Sequence, residues 1–300
     1  GSLRWWFYLG FGLAEVLSFK CQAIEIMHAA TDNTDTTLAI VFPGQGSQSL
    51  GMLSDLAASF PLVNETFAQA SEVLGYDLWK LVQDGPGEEL NRTDRTQPAM
   101  LAAGVAVWRV WQQEQGAVPA AMAGHSLGEY SALVCAGAMG FTDAVSLVEE
   151  RGRFMQSAVP AGVGAMAAII GLDDATVTQV CNRAAEGEVV SPVNFNSPGQ
   201  VVIAGNADAV QRAIGLAKEA GARRALPLAV SVPSHCSLMR PAAEQLAARL
   251  AQTSISTPSI PVIQNVDAAR HEQPDVIREN LEKQLFSPVQ WVLSVQNMGG

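Results

Sequence analysis

Positive charge is scarce in this sequence, and cysteine is scarcer still. The 300 residues include 18 lysines and arginines against 29 aspartates and glutamates, which gives a net charge of −11. A nucleic-acid partner needs a basic face, so this balance argues against nucleic-acid binding. The four cysteines form no C-x-x-C pair and have no metal-ligand spacing, as is typical of buried thiols in a reducing compartment. We therefore expect a cytoplasmic protein without a metal site.

Long apolar runs are also few, although 48% of the residues are apolar and a large core can form. The stretch at 3–19, LRWWFYLGFGLAEVLSF, carries Arg4 and Glu15 and is marginal for crossing a bilayer. It has no clear small-residue cleavage site, which argues against a signal peptide. We predict that residues 1–37 are a tag or extension, poorly ordered or foreign to the natural protein, with a natural start near Met27. The rest of the chain is expected to be soluble and not membrane-bound.

Strand and helix patterns alternate through the first half of the chain. Short apolar runs ended by glycine or proline predict buried strands at 38–42 and 118–124. Amphipathic or small-residue stretches predict the helices between and after them, at 61–74, 97–115, 126–138 and 142–159. Strands that alternate with helices of this length predict a largely parallel sheet covered on both faces.

The pattern changes after Gly162. Residues 162–231 follow the order β-α-β-β-α-β, which is typical of a ferredoxin-like subdomain. The pattern of the first half resumes at VPSHCSLM, so this segment is an insertion. We predict an α/β protein with a large domain at 38–161 and 232–300, a subdomain at 162–231, and a ligand cleft between them.

GHSLGEY, at 124–130, joins the second strand to the helix that follows. A G-x-S-x-G sequence in that setting is typical of a nucleophile elbow, in which tight backbone packing requires the glycines. The helix N-terminus then presents N–H groups to a developing oxyanion. The alternative is that Ser126 only caps the helix.

A nucleophilic serine needs a base, and the sequence offers four histidines. His28 lies in the N-terminal extension, and His271 lies in a predicted solvated loop. His125 adjoins Ser126, and neighbouring side chains point apart at a sharp elbow, so His125 is expected to line the pocket. Elimination leaves His235, at the point where the chain re-enters the large domain. The alternative for His235 is a buried structural histidine.

No acidic partner for the histidine is evident. Asp143, Asp173 and Asp208 lie between serine and histidine, but each is typical of a helix cap or first turn. This absence separates the sequence from ordinary esterases. Arg151 lies on an amphipathic helix, where it either faces solvent or turns its planar guanidinium into the cleft to bind a carboxylate.

Six motifs follow one another along the chain: FPGQGSQSLGM (42–52), GHSLGEYSALVCAGAM (124–139), RGRFMQ (151–156), NFNSPGQVVIAG (194–205), SVPSHCSLM (231–239) and QLFSPVQW (284–291). In this order they closely resemble the malonyl-CoA:acyl-carrier-protein transacylases of bacterial fatty-acid synthesis. The likeness runs from about Leu38 to the C-terminus, and it implies an α/β-hydrolase-like large domain with an inserted ferredoxin-like subdomain. The chain ends short of the family's closing strand and helix, and we expect it to be C-terminally truncated relative to the family.

The resemblance also implies roles for individual residues. Ser126 is then the acylated nucleophile, His235 its base, and Arg151 the ligand of the free malonyl carboxylate. The backbone N–H groups of Gln45 and Leu127 form the oxyanion hole. The remaining expected positions are the backbone carbonyl at Gln284, which orients the histidine, and the pocket residues His125, Met155, Asn194, Asn196 and Ser234.

The expected activity is therefore transfer of malonyl from malonyl-CoA to the phosphopantetheine thiol of acyl carrier protein, through a malonyl-serine. No cofactor is expected, the partners are the carrier protein and the coenzyme A thioester, and a monomer is expected. Three alternatives stay open. The chain could be a serine thioesterase or esterase on the same scaffold, a non-catalytic carrier-docking module, or a transferase of methylmalonyl units.

Overall fold

Seven strands and twelve α-helices make up the described part of the chain in the computed structural model, which describes residues 33–160, 162–228, 230 and 232–298. The predictions made for residues 1–32, including His28 and the start near Met27, lie outside the described residues. The strands are β1 (Thr34–Phe42), β2 (Val118–Gly124), β3 (Gly164–Ile170), β4 (Val190–Ser197), β5 (Gln200–Asn206), β6 (Arg224–Pro227) and β7 (Val262–Ile263).

The helices lie between and after these strands, with five of them between β1 and β2. They are α1 (Ser54–Ser59), α2 (Pro61–Leu74), α3 (Leu78–Asp84), α4 (Gly87–Leu90), α5 (Thr93–Gln113), α6 (Leu127–Cys135), α7 (Phe141–Ala158), α8 (Asp174–Ala185), α9 (Ala207–Glu219), α10 (Arg240–Leu250), α11 (Pro274–Gln284) and α12 (Trp291–Met298). None of them is both long and apolar enough to cross a membrane, among the residues that are described.

A three-stranded parallel sheet in the order β1-β2-β7 lies at the centre of the first part of the molecule. One face packs against the main apolar core, to which α2, α5, α6, α7 and α10 contribute. The other face packs Ala121, Ala123 and Ile263 against Met298 of α12. Since both faces are covered, residues 38–42 of β1 and the strands β2 and β7 are apolar rather than alternating. The predicted mixed α/β fold with a parallel sheet is confirmed.

A second sheet of four antiparallel strands has the order β4-β5-β3-β6. Its elements follow one another along the chain as β3, α8, β4, β5, α9 and β6. Apolar residues of α8 and α9 pack with those of the strands in one cluster. A separate cluster joins Met166, Val193 and Val202 of this sheet to Cys236, beyond the sheet in sequence. That cluster holds the second sheet beside the segment that carries His235.

The first strand is longer than predicted, which corrects part of the prediction for residues 1–37. It begins at Thr34 rather than at residue 38, and Thr34 and Asp35 pair with Val118 and Pro119. β-Branched threonines favour extended backbone even where the side chains are exposed. Counting only apolar residues therefore missed these four positions.

Candidate active site

Ser126 occupies a sharp turn between β2 and α6. Its φ of 52° and ψ of −106° are unusual for a residue with a side chain. The flanking glycines are required by close packing, because a Cβ on Gly124 would lie 1.8 Å from the carbonyl carbon of Gly128. Ser126 stands at the N-cap position, yet its side chain makes no capping hydrogen bond. The geometry therefore fits a nucleophile elbow and not a serine that caps the helix.

His235 lies against this serine, although 109 residues separate the two in sequence. Its Nε2 is 2.8 Å from Ser126 Oγ, and its Nδ1 is 2.7 Å from the backbone carbonyl oxygen of Gln284. A carbonyl only accepts, so Nδ1 carries the proton and donates, which leaves Nε2 free to accept from the serine hydroxyl. The histidine is thus aligned as a base.

Electrostatics keep this imidazole neutral. Burial and, to a smaller extent, the nearby positive charge of Arg151 lower the pKa of His235 to about 3. No carboxylate bonds its ring among the described residues. Asp173 caps α8 by accepting from the backbone N–H of Thr176, and Asp143 and Asp208 lie in the first turns of their helices. The carbonyl of Gln284 occupies the place that an acid holds in a serine-histidine-aspartate triad.

Arg151 points into the site from α7 and is almost completely buried, with 1% of its surface exposed. Its guanidinium donates to Gln97 Oε1 at 2.8 Å and to Gln284 Oε1 at 3.0 Å, and it lies 3.4 Å from Ser126 Oγ. No acidic side chain in the described part of the chain forms an ion pair with it. The Glu129 carboxyl acts on this cation through its charge but does not form an ion pair with it. Burying a cation without a contacting counter-charge is costly, so the site is suited to an anionic ligand.

A cavity of about 130 Å³ opens beside Ser126 and is lined by residues of the second sheet, of helices α5, α6 and α7, and of several loops. Nine of the predicted site residues line it, namely Gln45, His125, Ser126, Leu127, Arg151, Met155, Asn194, Ser234 and His235. Asn196 does not line the cavity but lies behind it, with Oδ1 2.8 Å from His125 Nε2. Gln284 also lies behind the cavity wall. No group of three or more histidine, cysteine or acidic side chains able to hold a metal ion lies among the described residues.

The sequence pattern of the family described as "Acyl transferase domain" matches residues 39–298. The chain belongs to this acyl transferase family. The match spans most of the chain and includes Ser126, Arg151, His235 and Gln284. The family resemblance inferred from the sequence is thereby confirmed.

Relatives of this chain carry names that are more specific than the family description. A malonyl CoA-acyl carrier protein transacylase of Escherichia coli K12 is 65% identical over 263 residues, which cover 88% of this chain and 85% of the relative. A solved acyl carrier protein S-malonyltransferase of Vibrio cholerae is also 65% identical, with a TM-score of 0.85 and coverage of 87% of this chain and 85% of that one. A further solved structure is a malonyl-transacylase in complex with its type II PKS acyl-carrier protein, at 60% identity and a TM-score of 0.86, covering 87% and 84%.

A buried polar network behind the elbow was missed by the sequence analysis. Glu129 accepts hydrogen bonds from Gln264 Nε2, Asn265 N and Gln284 Nε2 at 2.7–3.0 Å. Burial raises the pKa of this carboxyl to about 7, against the lowering effect of its three donors. Glu129 lies within the GHSLGEY motif, and an acid in an otherwise small and apolar helix was the available signal. Gln264 and Asn265 follow the two-residue strand β7 and gave no comparable signal.

Proposed function

We propose that this chain is a malonyltransferase that moves malonyl from malonyl-CoA to the phosphopantetheine thiol of acyl carrier protein. The observation that carries the proposal is Arg151, a buried cation that forms no ion pair with an acidic side chain of the described residues. It lies 3.4 Å from a serine hydroxyl that contacts a neutral histidine. A planar guanidinium binds a carboxylate through two parallel hydrogen bonds. A malonyl thioester carries a free carboxylate close to its reactive carbonyl, so one end binds Arg151 while the other meets Ser126.

The first half-reaction loads the enzyme. His235 Nε2 accepts the proton of Ser126 Oγ as the oxygen attacks the thioester carbonyl carbon. The resulting oxyanion is stabilised by backbone N–H groups of Gln45 and of Leu127, whose N–H lies in the first turn of α6 and has no acceptor within the helix. The carbon–sulfur bond then breaks, coenzyme A leaves with the proton from His235, and malonyl remains esterified to Ser126.

The second half-reaction runs the same steps toward a different thiol. The phosphopantetheine thiol gives its proton to His235 and attacks the malonyl-serine carbonyl, and the serine oxygen takes the proton back as it leaves. The solved complex of a related malonyl-transacylase with its acyl-carrier protein supports the carrier as partner. The mechanism requires no metal or redox cofactor.

The finer arrangement is part of the same proposal. The strand order β4-β5-β3-β6 supports a ferredoxin-like subdomain at 162–231, inserted into an α/β-hydrolase-like domain at 38–161 and 232–300. The cavity between the sheets is then the interdomain cleft that admits both thiols. The protein acts as a cytoplasmic monomer.

Intact mass spectrometry tests the proposal. After brief exposure to malonyl-CoA without a thiol acceptor, the protein is expected to gain the mass of one malonyl group, located on Ser126 by peptide mapping. Addition of phosphopantetheinylated carrier should remove the adduct and produce malonyl-carrier. Rapid release of free malonate without acceptor would instead favour a thioesterase. Absence of both adduct and hydrolysis would favour a non-catalytic docking module.

Substitution of Arg151 by alanine is expected to remove the preference for a carboxylated substrate. A hydrogen bond to a charged group contributes about 1.5–3 kcal/mol and a paired contact more, so malonyl loading should fall about 10²-fold or more. Acetyl loading has no carboxylate contact to lose and should hold steady or rise. Arg151→Lys should restore malonyl loading only in part, because a point charge lacks the planar fork. The measurement compares malonyl and acetyl loading rates in all three proteins.

The acetyl rates also control for damage to the site, since Arg151 contacts the Gln284 side chain. If malonyl and acetyl loading fell in parallel, Arg151 would be structural and the substrate preference would come from elsewhere.

A further inference from the structure

The backbone of the elbow is held from behind by one side chain. Asn265, in the turn after β7, is fully buried. Its Oδ1 accepts from the backbone N–H of Ser126 at 2.7 Å, and its Nδ2 donates to the backbone carbonyl of Gly124 at 2.7 Å. The two partners fix the amide orientation, because the carbonyl needs a donor and the N–H needs an acceptor. One amide thus joins both sides of the turn that carries the nucleophile.

The turn needs such support. Ser126 has a positive φ, which costs of order 1–3 kcal/mol and persists only where the surroundings impose it. Leu127 and the following residues have helix α6 to hold them, and Gly124 has the sheet, but Ser126 lies between these elements. The bond from Asn265 satisfies the Ser126 N–H, which leaves the N–H of Leu127 as the elbow's donor toward an oxyanion. The side chain therefore influences both where Oγ lies and which N–H faces the substrate.

Asn265 is in turn fixed in place. Its backbone N–H donates to the Glu129 carboxyl at 2.7 Å, and that carboxyl also accepts from Gln264 and Gln284. Gln284 donates to the Ser126 carbonyl at 3.1 Å, and its own carbonyl binds the His235 ring. The support for the nucleophile and the support for the base therefore share one rigid, buried network.

We propose that Asn265 is a positioning residue for acyl transfer: by bonding Gly124 and Ser126 together it keeps the strained serine at the geometry in which Oγ meets His235 Nε2. The inference rests on the proposed function, in which Ser126 is the nucleophile. Asn265 does not line the cavity, so it acts on the rate of acylation and not on substrate binding.

Asn265→Ala tests the proposal, with Asn280→Ala as the matched control. Asn280 is also a buried asparagine whose amide donates to two side chains, Gln264 and Asp267, but it does not contact the elbow. In single-turnover experiments with saturating malonyl-CoA, Asn265→Ala should load about 10²-fold more slowly, as expected when a reacting group is misplaced by about 1 Å. Asn280→Ala should load within about threefold of the wild type at a comparable loss of Tm.

Binding separates positioning from general damage. The Kd of malonyl-CoA, measured in a Ser126→Ala background to prevent turnover, should change less than about threefold when Asn265→Ala is added, although loading falls about 10²-fold. A wild-type loading rate in Asn265→Ala would overturn the proposal. So would parallel losses in the Asn265 and Asn280 variants, which would make the effect one of stability.

A second substitution covers the case in which Asn265→Ala does not fold. Asn265→Ser retains a polar group in the buried site but is too short to bond Gly124 and Ser126 together, so it should also load slowly with an unchanged Kd. If neither variant folds, Asn265 is a residue of stability and the proposal is wrong. Failure of the function itself would look different, because then either the wild type would form no malonyl adduct or Ser126→Ala would form the same adduct as the wild type.

Discussion

Ser126→Ala is expected to abolish the covalent malonyl adduct while leaving the fold intact. Among the described residues the hydroxyl bonds to His235 and Arg151, and both side chains keep other hydrogen bonds when it is removed. The positive φ at residue 126 is about as unfavourable for alanine as for serine, because both have a Cβ. Tm should therefore change little. Since no other hydroxyl among the described residues contacts the His235 ring, loading should fall below detection rather than by a fixed factor.

Ser131→Ala is the matched control for this change. Ser131 is a buried serine of the same helix, and it does not line the cavity. Its substitution should leave the adduct at the wild-type level. A full adduct on Ser126→Ala, measured by intact mass, would remove Ser126 from the mechanism.

His235→Ala is expected to slow loading by about 10²–10⁴-fold, which is the usual contribution of a positioned general base. His235 has a φ of 66°, which strains alanine, so a loss in that variant alone could arise from the backbone. His235→Asn separates the two effects, because asparagine tolerates this conformation and cannot act as the base. Both variants should be slow to a similar degree. Wild-type loading by a folded His235→Asn would make the histidine structural.

The wild-type pH profile of loading offers an independent check on the same residue. Burial lowers the pKa of His235 to about 3, so the base is deprotonated from about pH 5 upward and gives no inflection near its ordinary value. Burial raises the pKa of Glu129 to about 7, and that carboxyl contacts Gln284. Any inflection near neutral pH should therefore disappear in Glu129→Gln. An inflection near pH 6.5 that survives this substitution would contradict the neutral histidine.

Local sequence signals predicted those helices and strands whose ends are marked by glycine or proline. β2 has the predicted limits of 118 and 124, and α2 those of 61 and 74, because glycine or proline marks their ends. β7 has only two residues, and its place beside β2 depends on long-range pairing that no local pattern records. The short helices α1, α3 and α4 were not predicted because their 6, 7 and 4 residues are too few to show a helical period.

Some residues of the candidate site could likewise be found from a local sequence signal, and others could not. Ser126 could be found from its motif, and His235 by elimination, since only four histidines were available. Arg151 stayed ambiguous on a helix with several charges until the family resemblance gave it a role, and its burial distinguishes it from the exposed Arg153 two residues away. Asn265 could not be found, because its importance lies in two backbone atoms 139 and 141 residues distant.

The partner of the His235 ring is a main-chain oxygen, that of Gln284. A codon change can delete the carboxylate of an aspartate, but none can delete a backbone carbonyl, so this contact is protected against point mutation. The contact can instead be lost through any change that shifts the C-terminal turn of α11, such as an insertion or a proline within that helix. Inactive natural or engineered variants with an intact serine, histidine and arginine should therefore cluster in the residues just before 284.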